Sequence, residues 1–192
     1  MELVIASNNQ NKVREIKQII GDKFTKIYSL KELGVEVDVE ETGATFFENS
    51  LIKAKAITEI TGKASLADDS GLVVDVLGGA PGVYSARFAG EPCNDENNND
   101  KLLKLLEGVK YEDKTARFVS VVTLYYPNGE YVFSEGSVEG HVLSERRGDG
   151  GFGYDPLFYC DKLGKTFGEA SQEEKNLVSH RANALSELRK KL

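Results

Sequence analysis

Two adjacent carboxylates, Asp68 and Asp69, stand between a short apolar run, Ala64 to Ala67, and Ser70-Gly71. Side chains alternate along a strand, so neighbouring carboxylates there face opposite ways, and only a turn lets both approach one point. Gly71 tolerates positive φ, and the stretch therefore reads as a strand ending in an acidic turn. Such a pair suits a hard cation, since Mg²⁺ takes one or two carboxylates and leaves the rest of its shell to water and phosphate oxygens. The same residues also suit an Asx-type turn whose Asp and Ser oxygens cap nearby amides. The four residues alone do not decide between the two.

Three further groups have types and spacing that carry chemistry. Ser7, Asn8, Asn9, Gln10, Asn11 and Lys12 lie between an apolar strand, Leu3 to Ala6, and a helix with Val13, Ile16, Ile19 and Ile20 on one face that ends at Gly21. A helix N-terminus offers unpaired amides and a positive dipole end, which fits phosphate, although Ser7, Asn8 and Asn9 are equally suited to plain capping. The acidic turn Glu40-Glu41-Thr42-Gly43 precedes a capping box, Thr45 with Glu48. In the helix that follows, to about Thr61, Phe47, Leu51, Ala54 and Thr58 form one face, and Asn49 and Lys53 share another. Arg146 to Gly151 lead into Phe152, Gly153, Tyr154, Asp155 and Pro156. An aromatic ring flanked by glycines suits stacking on a base, and the alternative is a glycine-rich turn whose aromatics plug the core. Ser171 with Glu174 caps a helix that carries Lys175, and His180-Arg181 precede the apolar stripe Leu185, Leu188 and Leu192.

The elements that must position these groups alternate between strand and helix. A second strand is expected near Lys26 to Tyr28. Val35, Val37 and Val39 then alternate with Glu36, Asp38 and Glu40 at period two. Gly78 to Gly82 form an ordered loop. A capped helix runs from Asn94 or Asp95 to Gly108 through Leu102, Leu103, Leu105 and Leu106. Thr115 to Tyr126 and Glu130 to about Val142 make a hairpin about Pro127-Asn128-Gly129.

The composition sets bounds. At 192 residues, 40% hydrophobic and 29% charged, the chain suits one folded domain over 1–192 with a sizeable core. A formal net charge of −7 argues against nucleic acid as a partner, because binding it non-specifically needs a basic field. Cys93 and Cys160 lack metal-ligand spacing and are expected to be reduced thiols. No basic leader precedes Leu3 and no apolar run reaches a membrane span, so the expected place is the cytoplasm, with no membrane partner.

In this order the segments resemble the non-canonical purine nucleoside triphosphate pyrophosphatase family, also called XTP/dITP diphosphatase or inosine triphosphate pyrophosphatase. The segments that carry the resemblance are Ser7-Asn8-Asn9 with Lys12 and Glu15, Glu41-Thr42-Gly43 with Thr45, Phe46, Glu48, Asn49, Lys53 and Ala54, Ala67 to Arg87, Gly150 to Pro156, Glu174-Lys175, and Ser179-His180-Arg181. The resemblance implies an α/β fold: an elongated, long mixed β-sheet flanked by helices, with two lobes and a central active-site cleft, as a homodimer. It implies Mg²⁺-dependent hydrolysis of ITP, dITP and XTP to the monophosphate and pyrophosphate. On it, Asp69 is the catalytic base, and Glu41, Asp69 and Asp68 belong to the metal. Ser7 to Lys12, Lys53 and Lys175 hold the triphosphate, and Ser70 also belongs to the substrate site. Phe152 stacks on the base, Gly153, Tyr154 and Asp155 line its pocket, and His180 and Arg181 face its edge. Two alternatives stay open on residue chemistry: a purine-nucleotide-binding module without hydrolysis, and a pyrophosphatase directed at other modified nucleotides.

Overall fold

Residues 1–192 are described by a computed structural model. Glu2–Ile5 form β1, and Leu3, Val4 and Ile5 are all fully buried, as a strand covered on both faces requires. Asn9 caps the helix that follows, α1 (Gln10–Ile20), its side chain accepting from the amides of Asn11 and Lys12. The next elements are β2 (Lys26–Ser29), α2 (Phe46–Thr61) and β3 (Ala64–Val74). They are followed by α3 (Asp95–Leu105), β4 (Thr115–Tyr125), β5 (Tyr131–Val142), β6 (Phe158–Cys160), β7 (Lys165–Thr166), α4 (Gln172–Val178) and α5 (His180–Arg189). The seven strands form one mixed sheet in the order β2-β1-β3-β4-β5-β6-β7. β1 lies parallel to β2 and β3, whereas β6 is antiparallel to β5 and β7. The fold is thus α/β, with a mixed sheet and flanking helices.

The chain divides into two compact units. Unit 1 comprises 1–69, 120–136 and 181–192. Its core joins Leu3, Ile5, Val13, Ile16 and Ile20 to Leu66, Val122, Leu124, Leu185 and Leu188, and a second cluster gathers Val4, Ala6, Leu30, Ala54, Ile57 and Ala67. Unit 2 comprises 70–119 and 137–180, and its core packs Leu72, Val74, Leu102 and Leu106 with Phe118, Tyr154, Phe158 and Phe167.

Three local expectations change. No turn interrupts Asp68 to Gly71: β3 runs straight through them for 11 residues, and Gly71 keeps an ordinary negative φ. The valines at 35, 37 and 39 belong to no strand, yet all three pack on the Val4 cluster while Glu36, Asp38 and Glu40 stay exposed. Period-two burial therefore records an extended segment lying on a core, and a ladder is not needed to produce it. In α2 the buried residues are Asn49, Ser50, Ala54, Ile57 and Thr58, with Phe47 turned onto Phe133 at 4.4 Å between ring centroids. The hydroxyls on this face are paired, Ser50 with Thr123 and Thr58 with Ser65, each at 2.7 Å, so burying them costs little.

Candidate active site

Because β3 continues through Asp68 and Asp69, the strand's alternation sends their carboxylates to opposite faces of the sheet. Asp68 is 2% exposed and enters a run of alternating charge. Its Oδ2 pairs with Lys12 Nζ at 2.8 Å and with an Arg181 guanidinium nitrogen at 3.2 Å, and its Oδ1 accepts from Ser120 Oγ. Arg181, itself 1% exposed, also pairs with buried Glu15. Burial alone would raise the Asp68 carboxyl, but Arg181 and Lys12 outweigh it and hold the group well below the usual carboxylate range.

Asp69 meets a different set. Its Oδ1 accepts from Lys53 Nζ at 3.0 Å, and the same amine reaches Glu41 at 2.6 Å and the backbone oxygen of Asp68 at 3.0 Å. Its other oxygen is buried with no hydrogen-bond donor. Burial pushes the Asp69 carboxyl up, and Glu41 adds to it. Lys53 and Lys12 pull the other way without cancelling the rise. On Lys53 burial works against the charge, but Asp69 and Glu41 prevail and its pKa is raised, so it remains an ammonium. Glu41 is held in place by its turn, where the Gly43 amide donates to Asn49 Oδ1 at 2.8 Å. A Cβ on Gly43 would come within 2.7 Å of that oxygen, so the turn needs glycine for close approach.

No three acidic, histidine or cysteine side chains stand together as a ready-made metal cage. Two carboxylates sharing one ammonium, one of them with an unpartnered buried oxygen, are nevertheless a donor set that fits Mg²⁺, which relies on few protein ligands and on substrate oxygens.

Unit 2 brings together an aromatic face and a buried ion pair. Lys175 Nζ pairs with Asp155 at 2.6 Å and lies 4.8 Å from the centre of the half-buried Phe152 ring. Asp155 also accepts from the Phe152 amide at 3.0 Å. Tyr154 is buried, its hydroxyl donating to the Ser85 backbone oxygen at 2.6 Å, and His180 stacks on Phe118 at 4.8 Å. Of the two readings of this glycine-rich stretch, Tyr154 follows the core one, and Phe152 keeps part of its face open.

The sequence profile of the Ham1 family covers residues 3–191. This chain belongs to the Ham1 family. It is 52% identical, over 96% of its length and 92% of the relative's, to a Desulforamulus reducens protein named dITP/XTP pyrophosphatase. A Bacillus subtilis protein of the same name is 46% identical over 100% of this chain and 96% of its own. Among solved structures, a Staphylococcus aureus Ham1 protein matches with a TM-score of 0.87 at 44% identity, covering 99% of this chain and 97% of that one. A Coxiella burnetii HAM1 protein matches at 0.88 and 39%, with the same coverage.

In this Ham1-family chain the structure groups Glu41, Lys53 and Asp69, and separately Lys12, Asp68 and Arg181. It does not bring the Asp68 carboxylate to Glu41 and Asp69, and it pairs the Arg181 guanidinium with two carboxylates, those of Glu15 and Asp68. Ser7 accepts from the Asn9 amide, Asn8 and Gln10 stand exposed at the start of α1, and Asn11 is half-buried. Ser70 continues β3, half-buried. Residues without an assigned role in the sequence reading also do work here. Glu15 and Ser120 complete the Asp68 network. Asn99 donates to the Gly153 oxygen at 2.9 Å, and Asp95 accepts from the Gly153 amide at 2.8 Å. The signal for Asn99 was its place in an asparagine-rich run on a helix whose stripe is otherwise leucine, where a buried amide needs a partner.

Proposed function

We propose that this chain hydrolyses dITP, XTP and ITP to the nucleoside monophosphate and pyrophosphate, as one domain over 1–192, and so clears these nucleotides from the pool. The observation that carries the proposal is the opposite tuning of adjacent carboxylates. Asp68 is locked as an anion, while Asp69 is raised and keeps one oxygen without a donor. Pairs of carboxyls whose environments push them apart mark the division of labour in an acid–base site. Asp69 takes the proton from the attacking water. A bond then forms from the water oxygen to phosphorus, the bond bridging the α and β phosphates breaks, and pyrophosphate leaves with the electron pair. Glu41 and Asp69 would hold Mg²⁺, which when bound supplies charge neutralisation on the phosphate oxygens.

Phosphoryl transfer rests on positioning and charge more than on covalent chemistry, and the chain's cations suit that need. Lys12 and Lys53 serve the phosphates together with the amides that open α1, and Lys175 adds a further cation beside Phe152, whose ring stacks on the base. Gly153, Tyr154 and Asp155 shape that pocket, with His180 fixed by Phe118. Arg181 acts through Asp68, as its positioning partner. We also read the enzyme as cytoplasmic and homodimeric. The free thiols of Cys93 and Cys160 support the first, and the exposed rings of Tyr131 and Phe133 beside Phe47 offer apolar surface for the second. No helix is long and apolar enough to cross a membrane.

The test is pyrophosphate release from dITP, XTP, ITP, ATP and GTP, with and without Mg²⁺. We expect release that requires Mg²⁺ and favours the first three. Equal efficiency on ATP, or binding of dITP without release, would overturn the proposal.

A further inference from the structure

Unit 2 buries a lysine that the chemistry above leaves unused. Lys114 ends the helical turn 111–113 and directly precedes β4, and it is 4% exposed. Its Nζ donates to Ser144 Oγ at 2.6 Å, and no carboxylate stands within ion-pair reach of it. An ammonium carries three donors, so one hydroxyl leaves most of its capacity unspent. Buried cations are normally paired, because desolvating an unpaired charge is expensive.

Lys114 and Ser144 line a cavity of about 370 Å³. Its walls are Leu103, Leu106, Val109 and Leu143, with Lys104 and Glu107 at the exposed edge, where their charges offset. The leucines and Val109 give the cavity an apolar flank, and Lys114 is the one charge of its lining with no opposite charge in reach. A ligand that satisfies both features carries one negative charge and an apolar body. With a single ammonium and a single hydroxyl as donors, the complement is a monoanion; a phosphate dianion would find no second cation.

We infer that this cavity is a binding site for a small apolar monocarboxylate, its carboxylate accepting from Lys114 and Ser144 and its body lying against the leucines. No residue of this lining has a part in the proposed hydrolysis, so the two readings fail separately.

Amide-resolved NMR titration of the whole protein with benzoate, and with the neutral benzyl alcohol, tests the site. Benzoate is expected to half-saturate the site at about 1 mM or below, with its perturbations centred on Val109, Leu143 and Ser144. Benzyl alcohol should bind the same place about tenfold more weakly or worse, a difference of ~1.4 kcal/mol. Lys114→Met should erase the preference for the acid, Lys114→Arg should keep it, and Lys104→Gln at the rim should leave it unchanged. If Lys114→Met does not fold, Ser144→Ala, which removes one hydroxyl, should lower benzoate affinity severalfold. Equal affinity for the two probes, perturbations centred elsewhere, or no saturation up to about 10 mM benzoate, tenfold beyond the expected range, would each overturn the inference.

Discussion

Asp68 and Asp69 differ by one position on one strand, and their surroundings differ in almost everything else. Around Asp68 every acceptor oxygen is engaged and opposite charges alternate through Glu15, Arg181, Asp68 and Lys12. Around Asp69 the arrangement is less complete: Glu41 and Asp69 both pair with the Lys53 ammonium, and one Asp69 oxygen has no donor. The first region resembles the core of a protein in that its buried polar groups are satisfied. The second holds unspent binding capacity, which is what a site has before its ligand arrives. On the proposed function one face of β3 contributes stability and the other reactivity, and the strand's two-residue period is enough to separate them.

The largest effect should come from opening the satisfied side. Arg181→Met keeps an unbranched chain but takes the guanidinium from buried Glu15 and leaves Asp68 with Lys12 as its remaining charge partner. Breaking a buried pair in this way costs about 3–5 kcal/mol. Urea denaturation at neutral pH is expected to show that loss, and adding Asp68→Asn should recover part of it, because one of the two carboxylates that lost the guanidinium is then neutral. A variant as stable as the parent would mean that the network is ornamental and the contrast between the two faces is false.

Asp69→Asn probes the other side and should separate activity from stability. Turnover on dITP should fall by about a hundredfold or more, the range of general-base catalysis, while the unfolding midpoint at neutral pH holds or rises. The sign follows from linkage. The raised Asp69 carboxyl contributes its stability in full below its ordinary value of 3.8 and loses it as pH climbs through the folded-state value, so at neutral pH its ionised form is a cost. Asp68 is lowered and runs opposite: its contribution is present above 3.8 and disappears as pH falls through its depressed value. Activity should fade on acidification as Asp69 is protonated, at a pH that added Mg²⁺ lowers because a bound cation would favour the carboxylate, while the fold, secured by Asp68, persists. Coincident loss of activity and structure on acidification would collapse the distinction.

Much of this was legible in the sequence where the signal is local. Thr45 with Glu48 and Ser171 with Glu174 form the capping boxes their spacing predicts, and the hairpin at Pro127-Asn128-Gly129 joins β4 to β5. Whether Asp68 and Asp69 sat in a turn or a strand was not local information. Gly71 permits a turn, and only pairing within a central strand of the sheet keeps it extended. The Arg181 partners were hidden for a related reason. Glu15 and Asp68 lie 166 and 113 residues away in the chain, and nothing in a one-dimensional pattern marks a guanidinium that will be buried. A charged residue reads as surface until its neighbours are known.

The smallest effect expected is at Asn49, and it sharpens the comparison because it touches the unsatisfied side without touching a charge. Asn49 is fully buried on α2, its Oδ1 accepting from the Gly43 amide, and it thereby ties down the turn that carries Glu41. Its Nδ2 has no partner, so Asn49→Ala removes one satisfied bond and one unsatisfied donor together. Losing the bond costs about 1 kcal/mol, and losing the orphaned donor returns part of that, so the net change in stability should be at or below about 1 kcal/mol. The consequence for function should be larger than that figure suggests. A released turn lets Glu41 wander from Lys53 and Asp69, which would weaken the donor set for Mg²⁺ and leave Asp69 itself in place. The Mg²⁺ concentration for half-maximal dITP turnover should therefore rise severalfold, while the rate at saturating Mg²⁺ stays near the parent's. If the rate falls instead and the Mg²⁺ requirement does not move, Asn49 serves Asp69 directly and Glu41 is not the second carboxylate of the site.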